Sequence, residues 1–361
     1  MFSVTSLGFL PFMALFVCLW YRVPQPSRWK LVLAANAVFC LSIDIGAFFA
    51  VALATAVVWQ AAQHAQPEQP SRRGWLALGL AAALLPLLVL KYSGMLVPGL
   101  RDLYKPFGLA YYSLQLAGYL LDVWHGRTAP TPSYARLWCY AGFFLSLTQG
   151  PFNRYNTLMP QLEAAPKTFE TQRLVSGLQR SAWGYFKKFA IADRAAIVVS
   201  AAFADPASFD RSQLIFATVM YSFQLYADFS GYTDIVLGMG EILGLHLPEN
   251  FRQPFFSASV KELWARWHIS LSQWFRDYVY IPLGGNRKGI ARRDANLLLT
   301  FLVSGLWHGA NWTFLVWGGL HGLCQVAEDH MPAPLRKRKS LPLRIVGVPL
   351  TFAILDRKSV V

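Results

Sequence analysis

The sequence predicts an all-α protein that crosses a membrane many times, and three observations carry that prediction. Of 361 residues, 55% are hydrophobic and 14% are charged, where a soluble domain carries about 25% charged residues. Mean hydropathy is +0.34, and the apolar residues gather in blocks near the length that spans a hydrocarbon core. The cations, in turn, sit in short loops between those blocks.

From the N-terminus, the apolar blocks fall at 4–21, 31–59, 75–97, 107–121, 134–149, 182–203, 212–227, 230–247, 296–318, 312–329 and 341–355. Block 4–21 has no basic leader and no small-residue cleavage site, so it reads as a retained first helix and not a signal peptide. Block 31–59 is long enough for two short helices, with the break at Asp44 and Gly46. Segment 60–73 is polar and contains prolines, so it reads as a loop with His64 as a solvated surface histidine. Pro86 predicts a kink in the next block and Pro98 its end, because proline removes a backbone donor and clashes with the preceding turn. With 26 Gly and 21 Pro spread through the apolar blocks, helix breaks and water-filled cavities are expected.

Segment 247–295 departs from this pattern. Pro248 and Pro254 hold its start extended. Residues 260–280 are aromatic and amphipathic, but Lys261, Glu262, Arg266, Arg276 and Asp277 interrupt them too often for a spanning helix. They are expected at the interface or as a re-entrant segment. Gly284-Gly285 then permits a tight basic turn in which Arg287 and Lys288 face lipid phosphate or a nucleotide. No repeat, low-complexity tract or linker divides the chain, so 1–361 reads as one membrane-embedded domain.

Net charge is +14. Nucleic acid is the first partner such a balance brings to mind, but the cations form no stripe on a soluble face. Arg22, Arg28 and Lys30, then Arg72 and Arg73, Arg287 to Arg293, and Arg336 to Lys339 lie in short loops, the positive-inside pattern. A polyanionic cytosolic substrate such as a coenzyme A thioester is favoured there; nucleic acid is not. Cys18, Cys40, Cys139 and Cys324 are far apart in apolar segments and read as small hydrophobes. No cysteine or histidine spacing suits a metal, and none is expected.

Chemistry concentrates in two stretches. One runs Trp264-Ala-Arg-Trp-His268 and on to Gly285; the other runs Ser304-Gly-Leu-Trp-His308-Gly-Ala-Asn-Trp312 and ends near His321. A titratable imidazole at membrane depth is costly, and it can pass a proton near neutral pH. On an unbroken helix, His308 and His321 would sit about 220° apart, so they share a site only if the helix breaks, with Gly309 and Asn311 as the break points. Acyl transfer needs a base to take a proton from an alcohol and a donor to hold the oxyanion. No G-x-S-x-G elbow or polar cysteine is present, which favours direct transfer. A plain structural role remains open for each histidine, as a hydrogen-bond partner of backbone or indole. His125, His246 and His330 end apolar blocks and are expected at the interface. Asp228 and Asp234 either orient a histidine and line a tunnel, or join two helices around Gly231.

Several runs closely resemble one family. They are Asp228-Phe-Ser-Gly-Tyr232, Leu247-Pro-Glu-Asn-Phe-Arg-Gln-Pro-Phe255, the stretch from Arg266 to Arg287, and Ser304 to Phe314. Upstream, Tyr112-Ser-Leu-Gln115, Tyr119 to Val123, Gln149-Gly-Pro-Phe-Asn-Arg154 and Gly184-Tyr-Phe-Lys-Lys188 fit as well. Together they resemble the membrane-bound O-acyltransferase (MBOAT) family, in its bacterial branch that O-acetylates alginate and other exported polysaccharides. Trp124-His125-Gly126 departs from that branch's usual Tyr-Arg-Gly.

The resemblance implies a ring of tilted helices around a central tunnel in the bacterial inner membrane. Acetyl-CoA would be the cytosolic acyl donor, with no bound cofactor. The partners would be membrane lipid, polysaccharide synthesis and export proteins, and a periplasmic SGNH-type acetyltransferase. The family's two motif histidines map onto His268 and His308, with His308 the essential one. Motif positions expected along the tunnel are Asp228, Asn250, Trp267 and Ser270, then Arg276, Asp277, Trp307, Asn311 and His321. Relatives continue with more membrane helices, so a truncated C-terminus is expected. A channel or transporter with gating histidines, or a scaffold for a polysaccharide synthase, stays open beside the enzyme. Pseudo-symmetric halves would favour transport, and none are visible.

Overall fold

A computed structural model describes residues 3–100, 103–166 and 168–332. The apolar block 341–355 and the basic run Arg336 to Lys339 lie outside the described residues. Among those described, the protein is helical throughout, with one isolated antiparallel bridge between Phe251 and Trp267. Backbone contacts sort the chain into two compact units, Met1–Trp183 with Tyr232–Pro248, and Gly184–Gly231 with Glu249–Val361.

The first unit opens with helices α1 (Phe9–Arg22), α2 (Arg28–Ile43), α3 (Ile45–His64), α4 (Arg72–Leu96) and α5 (Leu109–Trp124). The predicted break inside block 31–59 falls at Asp44. Its carboxylate caps α3 by accepting the Gly46 N–H at 2.9 Å, and it also takes the Phe107 N–H and the Tyr104 hydroxyl. Helix α3 continues to His64, so the expected loop starts later than its polar composition suggests. His64 is the last residue of the helix, and its ring stacks on Trp75 at 4.6 Å instead of standing free. Pro86 lies inside α4, which ends before Pro98.

Helices α3 and α4 are the two described helices long and apolar enough to cross a bilayer, each with a mean hydropathy of 1.9 over its best window. Leu85 and Leu88 on α4 are more than half exposed, an arrangement that suits lipid better than water. The many further spans expected from the apolar blocks do not all appear as such helices. α1 has 14 residues, about 21 Å of rise, and the block at 134–149 is helical only as α6 (Tyr134–Ala141). Beyond Ala141 the chain turns, and the buried Asn36 side chain holds that turn. Its amide donates to the Cys139 carbonyl and its oxygen accepts the Phe144 N–H, both at 2.9 Å. Cys40 and Cys139 are buried as expected, whereas Cys18 is on the exposed side of α1.

Helices α7 (Tyr155–Ala164) and α8 (Thr171–Phe186) follow, then a π-helical turn at Lys187–Ala192, α9 (Asp193–Ala204) and α10 (Arg211–Ile242). α10 is one 32-residue helix, so Asp228 and Asp234 do not join two helices; both are interior positions of α10. Gly177 and Gly238 let α8 and α10 meet at backbone distance, since a Cβ on either would land on the other's carbonyl oxygen.

The second unit is built around short helices. The amphipathic stretch expected at the interface divides into α11 (Val260–Arg266) and α12 (Ile269–Phe275), the latter running into a π-helical turn at Arg276–Tyr280. Asn296 then steadies the basic turn, donating to the carbonyls of Leu283 and Gly285. Helices α13 (Ile290–His308) and α14 (Trp312–His330) form an antiparallel hairpin. They approach so closely that a Cβ on Gly305 would strike the Phe314 carbonyl, and one on Gly318 that of Phe301.

Candidate active site

Within the second unit, the extended segment that begins Glu249-Asn250 runs beside the junction of α11 and α12. Arg252 N–H donates to the Arg266 carbonyl at 2.9 Å, and Ile269 N–H donates to the Asn250 carbonyl at 3.1 Å. Between them, Trp267 is extended and His268 takes a left-handed conformation with φ 44° and ψ 51°. Such a conformation costs a non-glycine residue roughly 1–2 kcal/mol, so it needs an enforcing contact. Asn250 supplies it. The residue is fully buried, and its side-chain oxygen accepts both the Ser270 N–H (3.2 Å) and the Ser270 hydroxyl (2.6 Å). Asn250 thus satisfies the first two amides of α12, the capping duty that a residue at position 268 would normally perform. The His268 side chain is released to face the interior, 1% exposed, with its ring 4.7 Å from Phe229.

His308 reaches the same place from α13. It is the last residue of that helix, and Gly309 follows in an extended conformation. The chain restarts at Trp312, capped by the Asn311 side chain, which accepts the Thr313 N–H at 3.2 Å. The helix therefore breaks where glycine and asparagine predicted. The break folds α14 back, so that His308 and His321 share Trp317, at ring separations of 5.2 and 4.8 Å. The rings of His268 and His308 lie 6.4 Å apart, with Trp307 beside both, at 6.2 and 5.0 Å. His321 accepts the Trp264 indole N–H at its Nδ1, 3.3 Å away. An indole nitrogen only donates, so this Nδ1 carries no proton.

Of the residues picked out from sequence, His268, His308, His321, Trp307, Asn250 and Ser270 thus form one constellation. Trp267 packs behind it against Phe251 and Tyr226. Asp228 does not turn to a histidine. It pairs with Lys188 at 2.6 Å, and Asp234, in the first unit, pairs with Arg180 at 3.1 Å. Asn311 acts as a helix cap. Arg287 and Lys288 are exposed on the basic turn, and Arg276 is paired with Asp277 at 2.9 Å. Sequence reasoning did not assign roles to Trp264, Trp317 and Phe229, which pack against the three imidazoles. Trp264 and Trp317 were marked only by aromatic density near the histidines, and Phe229 by its place in the Asp228–Tyr232 motif.

A cavity of about 300 Å³ opens between α11, α12, α13 and α14. Lys261, Arg276 and Asp329 line it, and so do Trp264, which touches His321, and Ser304, one turn before His308. Among the described residues, no cluster of His, Cys, Asp or Glu could hold a metal ion. At the start of α13, Asp294 accepts from His330 at 2.7 Å and pairs with Arg293 at 2.7 Å. The His330 hydrogen bond, with Arg293 beside it, holds the Asp294 carboxyl below the usual carboxylate range.

The sequence profile of the membrane-bound O-acyltransferase family matches residues 89–352, a range that holds every one of these side chains. The chain belongs to that family. The acyltransferase is 35% identical over 354 residues to a probable alginate O-acetylase of Azotobacter vinelandii, an alignment covering 93% of this chain and 70% of that protein. It is 33% identical over 328 residues to a peptidoglycan O-acetyltransferase of Helicobacter pylori (81% and 62%). It is 27% identical over 325 residues to a teichoic acid D-alanyltransferase of Bacillus subtilis (84% and 82%). These relatives are named for three different acceptors, alginate, peptidoglycan and teichoic acid.

Asn250 offers a direct check on this construction. Asn250→Ala removes the buried side-chain oxygen that accepts the Ser270 amide and hydroxyl, two hydrogen bonds worth about 0.5–1.5 kcal/mol each. The thermal midpoint of the detergent-solubilised acyltransferase is expected to fall, and acyl transfer to fall with it by about tenfold as His268 loses its enforced conformation. An unchanged midpoint would remove Asn250 from this role.

Proposed function

We propose that this acyltransferase moves an acetyl group from cytosolic acetyl-CoA, through a tunnel in the bacterial inner membrane, to an exported polysaccharide or to a periplasmic SGNH-type transferase that carries the group onward. The observation that carries this reading is the pair of imidazoles from α12 and α13, 6.4 Å apart among buried indoles. The cavity that bears Lys261 and Arg276 is lined by Ser272 and Ser304, one helical turn from His268 and His308 in the chain, and not by the imidazoles themselves. In the reaction, His308 takes the acceptor's hydroxyl proton as the oxygen bonds to the acetyl carbonyl carbon. The negative charge that develops on the carbonyl oxygen is held by hydrogen bonding from His268. The tetrahedral species then expels coenzyme A as a thiolate by breaking the C–S bond, and the His308 imidazolium returns its proton to the sulfur. The alginate and peptidoglycan O-acetylating relatives support the choice of an acetyl group and a glycan pathway. Arg287 and Lys288, exposed on the turn after α12, are proposed to meet the donor's phosphates first. Trp307, Trp267 and His321 are proposed to line the reaction chamber.

The test is transfer of radiolabel from acetyl-CoA in membranes that contain the chain. The double variant Lys261→Glu, Arg276→Glu reverses both cations of the cavity. It is expected to raise KM for acetyl-CoA about tenfold and to leave kcat within about threefold, because each charge acts on binding and not on the reacting carbonyl. Wild-type membranes that never transfer label would sink the reading. An unchanged KM in the variant would move the donor away from this cavity.

A further inference from the structure

Helix α11 has seven residues, and a helix that short cannot hold its own first turn. Its first three amides are all satisfied from outside its hydrogen-bonded ladder. Ser259 accepts the Glu262 N–H at 3.0 Å, and Glu262 in turn accepts from Ala258 at 2.9 Å. The other two amides are met from far along the chain. Glu328, on α14, accepts the Val260 N–H with one carboxylate oxygen at 2.7 Å and the Lys261 N–H with the other at 3.1 Å. That carboxylate is buried, with the residue 8% exposed. A carboxylate at a helix N-terminus answers both the orphan amides and the positive end of the helix dipole.

Glu328 lies seven residues after His321, two turns along the same side of α14. α11 also meets that side twice. At its N-terminus it meets Glu328, and near its C-terminus Trp264 donates to His321 and packs on Trp317 at 5.6 Å. One residue after Trp267 comes His268. We infer that Glu328 is a positioning residue for the histidine site: its carboxylate locks α11 in place along α14, and α11 in turn holds Trp264 on His321 and presents the His268 turn. This rests on the function proposed above, yet its geometry can be read without any turnover.

The experiment uses the full chain in detergent micelles, labelled with nitrogen-15 at the tryptophan indoles. The Trp264 resonance is assigned by its loss in Trp264→Phe. Glu328→Ala is expected to move that resonance upfield, as the bond to His321 lengthens, and to lower kcat for acetyl transfer about 10- to 100-fold, with KM for acetyl-CoA within about threefold. Glu328→Gln keeps one acceptor oxygen and is expected to fall between wild type and Glu328→Ala on both readouts. A wild-type Trp264 resonance in Glu328→Ala overturns the inference. So does one in Glu328→Gln, should the alanine variant not fold. A kcat loss with Trp264 unmoved also overturns it, because Glu328 would then act by another route. A moved resonance in a protein that never transfers acetyl groups leaves the positioning intact and rejects the proposed function instead.

Discussion

Membranes carrying His308→Ala are expected to transfer acetyl groups at least about 100-fold more slowly than wild type at equal expression, the scale of a lost general base. His308 ends α13, where the chain leaves the helix, and its ring touches Trp307 on its own helix and Trp317 across the hairpin, while the backbone approach at Gly305 and Gly318 holds α13 on α14 without it. Truncation therefore removes ring contacts while the hairpin remains. The thermal midpoint of the solubilised variant should fall by only a few degrees, which separates lost chemistry from lost fold. His308→Gln keeps a polar side chain that can neither accept nor release a proton under these conditions, and it should be equally slow. Transfer within about threefold of wild type in either variant would remove His308 from the proton transfer.

A second large effect is expected from a residue with no chemistry. Gly305→Val places a branched side chain where α13 meets the Phe314 carbonyl of α14. The obstacle is backbone, so no side chain can rotate away, and overpacking of this kind costs about 1–3 kcal/mol and often more. The hairpin must open, and with it the distance between His308 on α13 and Trp317 with His321 on α14. Transfer is expected to fall below detection, together with a lower thermal midpoint and reduced yield. Gly319→Val is the control. Gly319 is on the same helix as Gly318, but an added Cβ there would make only an ordinary 3.6 Å contact with Leu302, so fold and transfer should both stay near wild type. Equal damage from the two substitutions would show that helix propensity, not the close approach, sets the outcome.

Much of the local structure was legible because its causes are local. Asp44 ends one helix and caps the next, and Gly309 with Asn311 stops α13 and starts α14. The charged residues of 260–280 prevented a spanning helix, as the short α11 and α12 bear out. Local pattern misled where a distant partner decides. Gly231 looked like a helix break, yet it sits in the middle of α10, where lacking a side chain allows the Gly184 carbonyl to approach. Block 134–149 was apolar enough for a helix, yet Asn36 holds its second half in a turn. Asp228 stood beside the family's motif as a possible partner for histidine, and Lys188 claims it instead.

The helical class, the membrane character and the family were all readable from the chain's own residues. Periodicity, charge placement and contiguous motifs are properties of neighbouring residues, and they survive in a one-dimensional record. Only the tertiary structure decided how the imidazoles meet. A 6.4 Å approach of His268 to His308 depends on Asn250 enforcing a left-handed turn 18 residues away, and on Gly305 and Gly318 closing a hairpin. The placing of α11 by Glu328 spans 68 residues. Hydrogen bonds and backbone contacts between segments that far apart leave no periodic trace, because each needs only one suitable atom at one point in space.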